Sequence, residues 1–234
     1  MTRFSEDPIL RGLVRVVQPR RGYRFSLDSL LLADFALRAR FRHALDLGCG
    51  SAVIAMILAR RRPRARIVGL EIQAELCEAA RRGVALNGLL PRIEIVPGDL
   101  REAVRIVPAA SFGLVVCNPP FHEPARAPAS PEAGRALGRH ALCCTLDEVL
   151  AAARHACRPG GRVALIHPGL ELPHLPGLTL RAIRPVVSRA GQPARRYLIE
   201  LSRSSRGGAR ELAPLVVHEG AGYTEELRKI LGDA

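Results

Sequence analysis

Residues 45–52 read LDLGCGSA, and this stretch decides the fold of the chain. It follows a short apolar strand at 44–47 and opens a helical segment, Val53–Arg61. Its glycines let the backbone turn tightly and approach a ligand, and the helix behind them presents free N–H groups at its N-terminus. The stretch therefore predicts a strand–loop–helix unit with a binding site at the end of the strand.

Two acidic residues accompany the glycines. Asp46 precedes them, and Glu71 closes the next apolar strand, at 67–70. An acidic residue about 20 positions after the glycines binds the ribose hydroxyls in nucleoside-binding α/β sheets. The dinucleotide pattern G-x-G-x-x-G is not matched, because the sixth position from Gly48 is Val53. The spacing favours a nucleoside without phosphates and disfavours a hydride-transferring dehydrogenase.

A second motif is the run Asn118-Pro119-Pro120-Phe121, directly after the apolar segment Phe112–Cys117. Two consecutive prolines cannot continue a strand or a helix, so the loop is rigid. The side-chain oxygen of Asn118 and the carbonyl of Pro119 can accept both hydrogens of a substrate NH2, and Phe121 can stack on the flat group that carries it. The motif predicts a site for a planar amine or amide; the alternative is a turn that only ends a strand.

From residue 44 the pattern alternates between strands and helices, which implies a parallel sheet with helices on both faces. The expected strands are 44–47, 67–70, 93–96, 112–117 and 162–167, and the expected helices are 53–61, 74–86 and 146–157. Two later β-rich runs, 178–187 and 196–202, suit an antiparallel hairpin. Upstream, residues 14–27 predict a hairpin that turns at 19–22, followed by a helix to about residue 39 with Ser26 or Asp28 as its cap.

The charge, the cysteine pattern and the apolar runs of the chain narrow the range of possible functions and locations. The net charge of +13 and pI near 10.9 indicate a polyanionic partner, most simply nucleic acid, although an arginine-rich bias of the genome is the alternative. The six cysteines form no C-x-x-C pair, which favours buried thiols in a reducing compartment over disulfides or a metal site. With no visible signal peptide and no apolar run long enough to span a membrane, we expect a cytoplasmic location.

At 234 residues the chain fits one compact domain with an extension. We expect a hairpin and helix at residues 1–40 and the main domain at 41–234. Residues 122–138, rich in Pro, Ala, Gly and Arg, are a candidate substrate lid; an ordinary surface loop is the alternative. Six arginines flank the predicted site in sequence and could contact phosphates: Arg20, Arg21, Arg24, Arg126, Arg135 and Arg139.

The glycine loop, Glu71, Asp99 within residues 97–100, and the Asn118 motif occur in the order found in class I S-adenosylmethionine-dependent methyltransferases, which the chain resembles. Residues 24–33, 139–142 and 212–224 resemble one branch, the bacterial adenine N6-methyltransferases of the anticodon loop of a valine tRNA, together with their relatives. The resemblance covers nearly the whole chain. It implies a Rossmann-like, mostly parallel seven-stranded sheet with an antiparallel last strand.

The resemblance also implies roles. Asp46, Gly48 and Gly50 line the methionine part of the cofactor, S-adenosylmethionine, and Glu71 binds its ribose. Asp99 accepts a hydrogen bond from the cofactor's adenine amine. Asp28 could touch the methionine end or cap its helix, and no metal is required. Asn118, Pro119 and Phe121 hold the acceptor amine, with Asn118 next to the cofactor. A departure from the pattern is Ala52, where a third glycine is common; Ala is expected to be tolerated at a helix start.

The first functional hypothesis is N6-methylation of adenine in RNA, with tRNA as the first candidate. The alternative enzyme is a protein glutamine N5-methyltransferase, because the Asn118 motif suits a planar side-chain amide equally well. From another class, the chain could be a non-catalytic RNA-binding module that keeps a methyltransferase fold, which the intact Asn118 and Glu71 disfavour.

Overall fold

The computed structural model describes residues 3–22, 24–118, 144–170, 176–204 and 208–233. An N-terminal hairpin of β1 (Phe4–Ile9) and β2 (Val14–Pro19) leads into helix α1 (Leu27–Ala36). Strands and helices then alternate along the chain. They are β3 (His43–Leu47), α2 (Val53–Arg61), β4 (Arg66–Glu71), α3 (Ala74–Leu86), β5 (Ile93–Pro97), α4 (Ala103–Ile106), β6 (Phe112–Cys117), α5 (Leu146–Ala156) and β7 (Cys157–His167).

The C-terminal part of the chain adds an antiparallel pair and a short tail. The pair is β8 (Thr179–Val187) and β9 (Ala194–Ser202). The tail comprises four two-residue strands and a helix: β10 (Arg210–Glu211), β11 (Leu215–Val216), β12 (His218–Glu219), β13 (Gly222–Tyr223) and α6 (Glu225–Leu231).

The main sheet has the order β10-β8-β9-β7-β6-β3-β4-β5, with β11 also paired to β8. Strands β3 to β7 are mutually parallel, and β9 runs antiparallel to both β7 and β8. The seven long strands thus form the mostly parallel sheet that the resemblance implied, with the last long strand antiparallel. The short strands β10 and β11 raise the count to nine among the described residues.

Alternate residues of the central strands point to opposite faces of the sheet, as the two-residue period of a strand requires. In β6, Leu114 and Val116 join the core beneath α1, α2 and α3, while Val115 and Cys117 join the core beneath α4 and α5. Helices therefore cover both faces, as predicted. Continuously apolar strands such as β6 are typical of a sheet buried on both sides.

The cysteines behave as small apolar residues. Cys49, Cys77, Cys117 and Cys157 are free and buried, and Cys144 is partly buried. Burial raises the pKa of the Cys49 and Cys117 thiols well above the ordinary value, so neither ionises near neutral pH. The prediction of buried thiols holds for these described cysteines.

The predicted hairpin at 14–27 is wrong. The turn lies earlier, at Leu10–Leu13, where Leu10 and Arg11 have positive φ values of 51° and 52° and Gly12 has 81°. Only Gly12 belongs to a residue type that favours this conformation, so the turn has a weak sequence signature. The described residues 20–22 and 24–26 instead lie between β2 and α1.

Two helix ends also differ from the predictions. Helix α1 ends at Ala36 rather than near residue 39, and α5 ends at Ala156 because Cys157 already begins β7. Cys157 pairs with Phe112 of β6, and the following Arg158-Pro159-Gly160-Gly161 cannot extend a helix. Thr145 begins α5 with a capping box, because its side chain and that of Glu148 each bind the other's backbone N–H.

Candidate functional site

The carboxyl ends of β3, β4, β5 and β6 meet at one edge of the sheet. The glycine loop follows β3, Glu71 ends β4, Asp99 follows β5 and Asn118 follows β6. Ligands of open α/β sheets bind at this edge, where the strand order changes direction. The structure therefore brings together the residues that the sequence predicted on separate strands; their roles toward ligands remain predictions.

The glycine loop is fixed by backbone hydrogen bonds to the neighbouring strand. The N–H groups of Gly48 and Cys49 both donate to the carbonyl of Leu70, at 2.8 and 3.0 Å. Gly48 and Gly50 have φ values of 67° and 55°, a conformation that favours glycine. A methyl group added to Gly48 would meet no atom within 4 Å, so the backbone here is open to close approach by a ligand.

Gly69 of β4 lies beneath this loop and is not among the residues predicted from the sequence motifs. A side-chain methyl on Gly69 would approach the sulfur of Cys49 to 2.7 Å. A larger residue at position 69 would therefore displace the glycine loop. The available signal was a glycine inside an apolar strand, which often marks close approach of another backbone.

Ala52 corrects the expectation that alanine costs little at this position. It precedes α2 in the left-handed conformation, with φ 59° and ψ 30°, rather than in the first helical turn. A left-handed residue with a Cβ atom costs about 1–2 kcal/mol. The loop thus stores strain at the position where related loops often carry glycine.

Glu71 shapes the loop as well as facing the predicted ribose site. Its two carboxylate oxygens accept hydrogen bonds from the N–H groups of Gly50, at 2.8 Å, and Gln73, at 2.9 Å. The residue is only 4% exposed. Burial raises its pKa above the ordinary value, and the backbone N–H donors of Gln73 and Gly50 oppose that shift. Each oxygen keeps a second lone pair, with which it can accept a hydroxyl.

Asp46 joins β3 to the start of α2. Its Oδ2 atom accepts from the N–H of Ala55 at 3.2 Å. Its Oδ1 atom and the Ser51 hydroxyl are buried without a hydrogen-bond partner among the described residues. Burial raises the pKa of Asp46 to about 7, with nearby Glu71 adding to the shift and the Ala55 N–H opposing it. Unpaired buried polar atoms are costly, so these two fit a site that is completed by a polar, cationic ligand.

Asn118 is held by a residue that sequence reasoning did not select. Its Nδ2 atom donates to the Ser29 hydroxyl of α1 at 3.1 Å. Ser29 is 4% exposed and interrupts the apolar run of α1, a signal that could have identified it. Because the amide nitrogen is engaged by Ser29, the Asn118 oxygen is left as the acceptor. Pro119, Phe121 and the candidate lid at 122–138 lie outside the described residues.

The expected cap of α1 is absent. Ser26 occupies the N-cap position without a side-chain hydrogen bond, and the Asp28 carboxylate instead lies 3.3 Å from Nε of Arg196 on β9. Asp28 therefore sits between α1 and the C-terminal half of the sheet. Its predicted contact with the methionine end of the cofactor remains a prediction.

Asp99 has a local partner. Its carboxylate accepts from the backbone N–H of Arg101 at 2.9 Å and from Nε of Arg101 at 2.8 Å. The hydrogen bond from the Arg101 side chain lowers the pKa of Asp99, which keeps the carboxylate ionised. The Asp99 side chain also caps the short 3₁₀ helix Leu100–Glu102.

Of the flanking arginines, Arg24 is held by the N-terminal hairpin. Its guanidinium lies 3.0 Å from Asp7 and donates to the carbonyl of Pro19 at 3.1 Å. Arg126, Arg135 and Arg139 lie outside the described residues.

Comparison with known proteins identifies the class of protein. The family model for the methyltransferase small domain matches residues 26–168. The chain belongs to this family. The prediction of a methyltransferase family is thereby confirmed.

Individual relatives carry a more specific name. The chain is 35% identical over 129 residues to the tRNA1(Val) (adenine(37)-N6)-methyltransferase of Porphyromonas gingivalis, covering 54% of this chain and half of that protein (50%). It is 28% identical over 244 residues to the enzyme of the same name from Yersinia pestis, covering 99% of this chain and 97% of that protein.

Solved structures agree on the fold. A predicted O-methyltransferase from Agrobacterium tumefaciens matches with a TM-score of 0.68 at 23% identity, over 88% of this chain and 97% of that one. A 16S rRNA N2 methyltransferase of Thermus thermophilus, in complex with AdoMet and guanosine, matches with a TM-score of 0.55 at 23% identity, over 86% of this chain and 50% of that one.

Two features are absent from the described part of the chain. No group of three or more His, Cys, Asp or Glu side chains there is arranged to hold a metal ion. No helix there is long and apolar enough to cross a membrane.

Proposed function

We propose that the protein methylates the exocyclic N6 amine of adenine in structured RNA, most simply a tRNA. The observation that carries this proposal is the hydrogen bond from Asn118 Nδ2 to the buried Ser29 hydroxyl, at 3.1 Å. It engages the donor end of the amide and leaves the oxygen to accept from a substrate amine.

The residues of the site would bind the cofactor and the methyl acceptor through separate groups. S-adenosylmethionine, when bound, supplies a methyl group already activated on a sulfonium. Gly48 lets the ligand approach the backbone closely, Glu71 offers acceptors for its ribose, and the unpaired Oδ1 of Asp46 suits its cationic end.

Asn118 would act on the acceptor. An adenine N6 amine is a poor nucleophile because its lone pair is delocalised into the ring. The Asn118 oxygen and the Pro119 carbonyl would accept hydrogen bonds from the two amine hydrogens. These bonds would favour the pyramidal, nucleophilic form of the amine and would stabilise the positive charge that develops on it. This is preorganised electrostatic stabilisation, and it needs no general base.

Two observations support RNA as the substrate class. The relatives from Porphyromonas gingivalis and Yersinia pestis are named for adenine N6 in tRNA1(Val). The net charge of +13 suits a polyanion, whose phosphates contribute most of the binding free energy in such complexes. Action on tRNA would place the protein in the cytoplasm.

The test is transfer of labelled methyl from S-adenosylmethionine to RNA. Purified protein is incubated separately with total tRNA, with rRNA and with a protein that carries an exposed glutamine, and the RNA products are digested to nucleosides for mass spectrometry. We expect N6-methyladenosine from tRNA and no label in the protein substrate. Label in the glutamine protein alone would replace the RNA proposal by the glutamine alternative. No label in any substrate would support the non-catalytic binding module.

A further inference from the structure

A cavity lies at the same edge of the sheet as Asn118. Of the predicted site residues that the structure describes, only Asp28 lines it. Its volume is about 790 Å³, and its walls come from the start of α1, the end of β8, the start of β9 and the C-terminal tail. The polar residues that line it are Asp28, Ser188, Arg195 and Arg196.

The cavity is next to the proposed methyl-acceptor site. Asp28 forms part of its wall, and the adjacent residue, Ser29, holds the Asn118 amide at 3.1 Å. The first turn of α1 thus separates the two sites. A chain whose nucleotide enters at Asn118 can lay its neighbouring nucleotide across this turn.

The cavity is basic. Arg195 is exposed, and Arg196 is fixed by Asp28 at 3.3 Å and by its own Nη1 donating to the carbonyl of Arg195 at 2.8 Å. Two guanidiniums face one carboxylate, which leaves a net positive charge. An arginine held in place by one partner keeps further N–H donors in a fixed fork, the arrangement that suits phosphate oxygens.

The C-terminal tail builds the opposite wall. Val217 lines the cavity and donates its N–H to Val187 at 3.0 Å, and His218 donates its backbone N–H to Ser188 at 2.9 Å. Arg189 closes the arrangement by donating to the carbonyl of Gly220 at 2.8 Å. The tail therefore completes this cavity beside the acceptor site.

We propose that this cavity binds the phosphodiester backbone of the nucleotide next to the methylated adenine. The inference rests on the proposed RNA function, and it names where that substrate is held. A base that undergoes chemistry must leave its stack, and contacts to the flanking nucleotides hold the strand in that conformation. Arg195 and Arg196 supply these contacts here.

The experiment compares two double variants of the full chain, with total tRNA as the substrate. Arg195→Ala with Arg196→Ala removes the cavity's charges. Arg40→Ala with Arg64→Ala is the matched control, because both residues are exposed and precede β3 and β4 at the opposite edge of the sheet. We expect the cavity variant to raise KM for tRNA by about tenfold or more and to leave kcat within about twofold, since phosphate contacts act on binding.

Salt dependence gives the second readout. The slope of log affinity for tRNA against log salt should become shallower by about one to two units in the cavity variant, and change less in the control. The dissociation constant for S-adenosylmethionine, measured by calorimetry, should stay unchanged and serves as the test of folding. If the double variant loses affinity for S-adenosylmethionine, the single variant Arg195→Ala is used instead, because it preserves the Asp28–Arg196 pair. Arg195→Ala is expected to raise KM for tRNA about threefold.

Different results would contradict the cavity inference and the proposed function. Equal changes of KM and slope in the cavity and control variants would overturn the cavity inference while tRNA methylation still stood. A wild-type protein that labels no RNA would overturn the proposed function and, with it, this inference.

Discussion

The two halves of the sheet edge carry opposite charges. The carboxylates Asp46, Glu71 and Asp99 lie at or just beyond the ends of β3, β4 and β5. The half formed by β6 to β9 offers the neutral Asn118 amide and the cavity arginines. Each half keeps one opposite charge in an ion pair, Arg101 with Asp99 and Asp28 with Arg196. A cationic methyl donor suits the first half and an anionic nucleic acid suits the second.

The charged residues of the two halves also differ in burial, and this difference determines how each half should respond to pH and to salt. Asp46 and Glu71 are 1% and 4% exposed, while the side chain of Arg196 is 43% exposed. Buried charges are screened weakly by salt but titrate at shifted pH, whereas exposed charges are screened strongly. The donor half should therefore be sensitive to pH, and the acceptor half to salt.

The largest expected effect is that of Asn118→Ala. Turnover should fall about a hundredfold or more, because one preorganised polar group is lost from the transition state. Cofactor affinity should change little, since the cofactor half is intact. Single-turnover methyl transfer and calorimetry measure the two quantities.

Ser29→Ala is the companion variant, because it removes only the partner of the Asn118 amide. A smaller fall in kcat is expected, with KM nearly constant. Turnover near that of wild type in Asn118→Ala would show that Asn118 merely ends its strand.

Next in size is Glu71→Ala, which should weaken S-adenosylmethionine binding by about 1.5–3 kcal/mol through the loss of charge-assisted hydrogen bonds. The free energy of unfolding should also fall, because the N–H groups of Gly50 and Gln73 lose their acceptor. Glu71→Gln keeps one acceptor oxygen and should lie between. Calorimetry and urea unfolding separate the two effects; full cofactor affinity in Glu71→Ala would remove Glu71 from the binding site.

A third prediction concerns pH. The pKa of Asp46 is raised from 3.8 to about 7 in the fold, so the folded state holds this proton more tightly than the unfolded state does. Stability should therefore fall as pH rises from about 4 to about 7, by at most about 1.4 kcal/mol per unit from this group.

Cofactor affinity should change in the opposite sense, increasing up to about tenfold per unit as pH rises toward 7, because the ionised carboxylate attracts a cationic ligand. Asp46→Asn should flatten both profiles. Calorimetric titrations across this pH range that give a constant affinity for the wild type would contradict the assignment of Asp46 to the cationic end.

The smallest effect is expected for Ala52→Gly. Glycine removes left-handed strain of about 1–2 kcal/mol, but it also loses a buried methyl group, worth about 0.8 kcal/mol, and gains freedom in the unfolded state. The net change in the free energy of unfolding should stay within about 1 kcal/mol. Ala52→Val, which adds a β-branched side chain at positive φ, should destabilise by more than this; equal stability of the two variants would contradict the strained geometry.

Sequence reasoning was most successful where one local pattern decides one element. The apolar run Phe112–Cys117 and the helices Val53–Arg61 and Ala74–Leu86 were predicted to the residue, because composition and periodicity coincide there. The hairpin was misplaced because Leu10 and Arg11 adopt positive φ without belonging to residue types that favour it.

Within the site, the motif residues could be predicted, and their partners could not. Ser29 lies 89 positions from Asn118, and Arg196 lies 168 positions from Asp28. Such pairs depend on the packing of α1 against distant strands, which no local pattern encodes. The strain at Ala52 was likewise invisible, since the sequence shows the residue type but not its φ angle.

The central claim is that one half of the sheet edge binds a cationic methyl donor and the other half binds an anionic RNA. The most direct test is to measure how salt affects the affinity of the wild-type protein for S-adenosylmethionine and for tRNA. Log affinity for tRNA should fall with log salt with a slope of about −0.7 to −0.9 per phosphate contact, hence beyond about −1.4 for the two cavity arginines. Log affinity for S-adenosylmethionine should have a slope close to zero, since Asp46 and Glu71, its proposed charged partners, are buried. Equal slopes for the two ligands would contradict the account.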